Sequence, residues 1–109
     1  MNKTEITDSI ATYELLWVKK DGEEVFITAK VGLPYKIDNH VWACPAELIG
    51  VDKKYPDIHG VGSMQALGLA LGLIKTRLGH LLEDGEKLYH QDDQKSELDK
   101  DSLDAVFGK

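Results

Sequence analysis

Residues 60–84, GVGSMQALGLALGLIKTRLGHLLED, constrain the fold of this chain more than any other stretch. Met64, Leu67, Leu71, Ile74, Leu78 and Leu81 recur at spacings of 3, 4, 3, 4 and 3, which draws one apolar stripe along an α-helix. Gln65, Lys75, Thr76, Arg77, His80 and Glu83 avoid that stripe. Ser63 or Gly62 can cap the start, and Gly85 follows the end, where a left-handed residue is favoured. Leu69 and Leu73 fall off the stripe, so the first half of the helix is apolar nearly all round. Gly68 and Gly72 each cost a helix about 1 kcal/mol relative to Ala. Close approach by a strand of its own sheet, or by the helix of a second subunit, would offset that cost.

A helix with such a stripe has to bury it against other elements, and the sequence before it supplies strands. In residues 10–18, Ala11, Tyr13, Leu15 and Trp17 alternate with Ile10, Thr12, Glu14, Leu16 and Val18. In residues 24–31, Val25, Ile27, Ala29 and Val31 share one face. Asp21-Gly22 between the two runs predicts a hairpin, because Gly accepts the positive φ of a tight turn. Pro34, with no amide hydrogen, ends the second run. A third run, VWACPAELIG, puts Trp42, Cys44, Ala46 and Leu48 in one phase, and Pro45 places it at an edge or a bulge. Residues 50–62 read as a polar connection, and residues 1–9 as a frayed lead-in.

The expected fold is therefore α+β: a three-stranded antiparallel meander with the long helix packed on one face. Residues 1–85 make this β-β-β-α unit. Residues 86–109 carry seven acids and four lysines and read as an acidic tail, partly disordered or docking. Leu103, Val106 and Phe107 fit one helical turn starting near Asp101 and Ser102. The formal net charge of −6 argues against a nucleic-acid partner, whose phosphates call for Lys and Arg. A single cysteine, Cys44, allows no internal disulfide and no multi-cysteine zinc site, and its strand phase points it inward. No apolar run reaches the length of a membrane span, the opening residues lack a signal-peptide core, and the cytoplasm is the expected compartment.

Three sets of residues are candidates for function. Gly60, Gly62 and Ser63 at the helix start, with His59 just before them, could hold a small anion, since free amides and the helix dipole converge there. Gly68 and Gly72, flanked by Leu69 and Leu73, could form an interface, because small residues one turn apart let backbones approach closely. The acidic tail could bind a partner. His40, His59, His80 and His90 have no metal-ligand spacing, no metal or cofactor is expected, and no nucleophile, base and orienting group assemble from neighbouring motifs.

The stretch 42–78 resembles a family of small, uncharacterised bacterial α+β domains. The resemblance rests on Trp42-x-Cys44-Pro45, on Gly50, and on Gly60-Val61-Gly62-Ser63-Met64-Gln65-Ala66-Leu67 leading into the helix. Gly62 departs from the acidic residue usual at that point. The resemblance implies a strand followed by a helix and brings no activity, cofactor or catalytic residue. These readings favour a non-enzymatic protein-interaction module, bound to a protein partner or to itself as a homodimer. Binding of a small anion at the helix start, or inhibition of a partner toxin by an acidic immunity-type protein, are the alternatives.

Overall fold

A computed structural model describes residues 9–52, 55–91 and 93–108. Of the expected lead-in only Ser9 is among these residues, and it is the first residue of a strand; the rest lies outside that set. The hairpin forms as its sequence requires: β1 (Ser9–Val18) and β2 (Glu24–Gly32) run antiparallel with Leu15 opposite Ile27 and Val18 opposite Glu24. Gly22 sits at φ +90°, and the Glu23 amide donates to the Asp21 carboxylate at 2.9 Å. Ile10 is a bulge, since Ser9 faces Gly32 while Ala11 faces Val31.

The third run divides at Pro45. β3 (Tyr35–Lys36) is followed by β4 (Val41–Cys44), and β5 (Ala46–Ile49) continues on the other side of the proline. Pro45 cannot donate to a ladder, so the chain changes sheets at this residue. β4 lies between β3 and β6 (Ile58–Val61) in a three-stranded sheet. β5 joins β2 in the other sheet, with Ala46 opposite Val31 and Leu48 opposite Ala29. The connection 50–62 thus contains a strand, and the three-stranded meander is replaced by two antiparallel sheets.

The larger sheet has five strands in the order β5-β2-β1-β7-β8. Its last two, β7 (Lys87–His90) and β8 (Asp93–Glu97), come from the segment whose charge marks it as a tail. β7 pairs with the second half of β1, from Leu15 opposite His90 to Val18 opposite Lys87. The Trp17 indole donates to the Glu86 carboxylate at 3.1 Å and fastens the same seam. A short second helix, α2 (Lys100–Phe107), follows, close to where its apolar residues place it. Asp99 and Ser102 cap it reciprocally. Leu103, 2 % exposed, docks it onto the core.

The long helix, α1 (Gly62–Glu83), packs against strands of both sheets and against α2. Its buried residues are Ala66, Ala70, Ile74, Leu78 and Leu81, with Leu67 and Leu71 partly buried beside them. The inward stripe therefore differs from the leucine pattern in its first half, where Met64 is 88 % exposed. The cause is steric. A methyl group added at Gly60 on β6 would stand 2.7 Å from the Ala66 amide nitrogen, so only small residues fit between helix and strand. Close approach belongs to Gly60 and Ala66. Gly68 and Gly72 face the other way, and a Cβ on either would meet nothing within 4 Å.

Candidate functional site

The outward face of α1 is the most unusual surface of the molecule. Helical geometry aligns Val61, Met64, Gly68 and Gly72 along one line, with Leu69 beside it. Val61 is 69 %, Met64 88 % and Leu69 48 % exposed. Gly68 and Gly72 are exposed as well, and Leu73 is half-buried at the margin. The result is a strip of glycines and apolar side chains about three turns long, open to solvent, with exposed Gln65 among them. All four residues singled out as an interface border it, although the contact Gly68 and Gly72 were expected to make with the protein's own sheet does not occur.

The helix start is arranged differently from its sequence reading. Val61, not Gly62 or Ser63, occupies the N-cap, and no side chain of a capping residue bonds there. The Gln65 amide oxygen reaches back to the Val61 N–H at 2.5 Å. The Gly62 N–H donates to the His40 carbonyl at 3.1 Å, so it is engaged within the protein. Gly62, the first residue of the helix, adopts φ +81°, a conformation that strains any residue with a Cβ, which is why glycine stands there. Gly60, Gly62 and Ser63 come together at this turn. His59 does not join them: it pairs with Ala43 while Gly60 pairs with Trp42, and successive strand residues point to opposite faces.

A polar clamp that sequence reasoning missed ties α1 to the turn after β5. Arg77 grips Asp52 with two bonds, Nε to Oδ2 at 2.7 Å and Nη2 to Oδ1 at 3.0 Å. The Tyr55 hydroxyl donates to Asp52 Oδ2 at 2.5 Å, and Arg77 Nη1 lies 2.9 Å from His80 Nδ1. The Arg77 hydrogen bonds, and then the one from Tyr55, hold the Asp52 carboxyl below its ordinary range. Burial, followed by the bond to Asp52, pushes the Tyr55 hydroxyl up, so it stays a donor. Twenty-five positions separate Asp52 from Arg77, and no local motif announces such a pair.

Two clefts meet at Tyr13. One, of about 200 Å³, is apolar and lies between the β1–β2 pair and the two helices, with Leu71, Ile74, Val106 and Phe107 among its walls. The other, of about 420 Å³, is polar and is lined by Thr12, Tyr13, Glu14, His90 and Gln91. The Tyr13 ring stands edge-on to both His90 and Phe107, at 5.6 and 5.8 Å between centroids. Cys44 is fully buried with its thiol 3.5 Å from the Gly32 carbonyl oxygen. Among the described residues no three His, Cys, Asp or Glu side chains gather to hold a metal ion, and no helix is long and apolar enough to cross a membrane.

A family model described as "Domain of unknown function (DUF6968)" matches residues 12–100, and the chain belongs to this family. No curated protein and no solved structure matches it.

Proposed function

We propose that this member of a family of unknown function is a non-enzymatic protein-interaction module that works as a homodimer in the cytoplasm of a bacterium, with the outer strip of α1 as its docking face. The observation that carries this reading is the orientation of Gly68 and Gly72. Each costs helix stability, and neither is needed for packing inside the protomer, since a Cβ on either meets open space. A glycine floor between exposed Met64 and Leu69 suits another helix laid across it, because backbones then approach closely and apolar side chains interdigitate. A second copy presents the same strip, and a two-fold axis matches it to itself.

Sedimentation equilibrium of the wild type and of Leu69→Glu tests the proposal. Leu69 is 48 % exposed, so the substitution leaves the fold intact while placing two carboxylates in a symmetric contact. The expected outcome is association in the wild type that weakens at least tenfold in the variant at equal melting temperature. Association unchanged by the substitution would remove α1 from the contact.

A further inference from the structure

Each of the two central strands of the larger sheet is covered along only part of one side. β2 is flanked by β1 and, at Thr28–Val31 alone, by β5. β1 is paired with β2 along nearly its whole length, but β7 covers only Leu15, Leu16, Trp17 and Val18 on its other side. Beyond the Leu15–His90 pair, β1 runs on through Glu14, Tyr13, Thr12 and Ala11 with no strand beside it among the described residues. The lane that a neighbour would occupy is the polar cleft lined by Thr12, Tyr13, Glu14, His90 and Gln91. Ala11, Thr12 and Glu14 are exposed and Tyr13 is half-buried. An exposed strand edge offers unpaired backbone donors and acceptors to any second strand.

We infer that this open edge of β1 pairs antiparallel with the same edge of a second copy, on a two-fold axis through Thr12, joining two five-stranded sheets into one. The sheet pleat restricts the register. Residues directly opposite each other share a face, so the axis must pass through a residue and not between two. An axis at Thr12 sets Thr12 opposite Thr12 and Ala11 opposite Tyr13. Glu14 then falls opposite Ile10, so the only charged side chain of the stretch is kept from its own copy. The lane is closed from Leu15 onward, where His90, the last residue of β7, stands opposite. The pairing therefore involves residues 10–14 of each copy and stops at the bulge at Ile10, where the strand already bends. Tyr13 of each copy would lie over Ala11 of the other, extending the wall of the apolar cleft that both residues line.

This contact is independent of the one at α1. Two different two-fold contacts on one chain are what a tetramer of D2 symmetry uses, so both together would give a dimer of dimers.

The test is a charge exchange at Thr12 in the Leu69→Glu background, which removes the α1 contact. Sedimentation velocity is expected to show Leu69→Glu as a dimer. Adding Thr12→Lys or Thr12→Glu separately gives monomers, because like charges then meet on the axis, and mixing the two restores a dimer. Thr12 is exposed, so neither variant threatens the fold; circular dichroism confirms that each is folded. Amides at positions 11–14 are expected to exchange hydrogen more slowly as concentration rises. A monomeric Leu69→Glu from a wild type that associates would overturn the β1 contact and leave the α1 contact standing. A Leu69→Glu dimer unaffected by Thr12→Lys would overturn it as well. A wild type monomeric at millimolar concentration would overturn both.

Discussion

Replacing Gly68 and Gly72 together by alanine should raise the stability of the protomer and weaken its association. Both residues lie inside a 22-residue helix, where alanine is favoured over glycine by about 1 kcal/mol per position. Neither new methyl group has an atom within 4 Å to clash with, so the whole propensity gain is available. The pair should therefore add about 2 kcal/mol. For a chain near 100 residues this corresponds to a rise in melting temperature of about 8 °C. Differential scanning calorimetry at low micromolar concentration, where association contributes little, reads the protomer alone. Gly60→Ala is the internal control. Its methyl group would lie 2.7 Å from a backbone nitrogen, so the same substitution there should lower stability by roughly 2 kcal/mol or more. A fall in melting temperature for the Gly68/Gly72 pair would refute the reasoning, since it would mean that the outer face of α1 is packed within the protomer.

Leu103→Ala should cost about 2–4 kcal/mol, because the side chain is 2 % exposed and anchors α2; urea denaturation measures the loss. Asp52→Asn should cost under about 1 kcal/mol at neutral pH, given a partly exposed pair. Because the Asp52 carboxyl is held below its ordinary value in the folded state, its stabilising contribution is present above about pH 4 and disappears as the pH falls through the depressed value. Melting curves of wild type and Asp52→Asn should accordingly converge in acid, and a gap that widened there would contradict the sign. Asp99→Ala removes the carboxylate that accepts from the Ser102 N–H, one half of the α2 capping box, and faster amide exchange confined to the start of α2 is the expected result.

The hairpin and the two helices are legible in the sequence because each rests on local chemistry: Asp21-Gly22 between alternating runs, a long 3.6-residue stripe, and Leu103, Val106 and Phe107 after Asp101 and Ser102. β6, β7 and β8 are not. IHGV, KLYH and DQKSE are short and carry at most two large apolar residues each, and they become strands through pairing with other segments. Pro45 marks a break, but only the folded chain shows that the segments on its two sides enter different sheets. The leucine stripe misplaces the inner face of the first half of α1 because it weights large residues, whereas the narrow gap beside Gly60 selects Ala66, and Ala70 one turn on is buried with it. That same shift of phase turns Gly68 and Gly72 outward and makes them candidates for an interface between molecules.

Disulfide trapping on α1 tests the proposed docking face most directly. Cys44 is fully buried, so a cysteine introduced at the surface is the reactive thiol. Gly68→Cys and Gly72→Cys, mildly oxidised, should each cross-link two chains, because a two-fold crossing on the glycine floor brings each position near its own copy. Glu83→Cys, exposed at the far end of the same helix, should not. Equal cross-linking at all three positions, or none at Gly68 and Gly72, would contradict the assignment of this face.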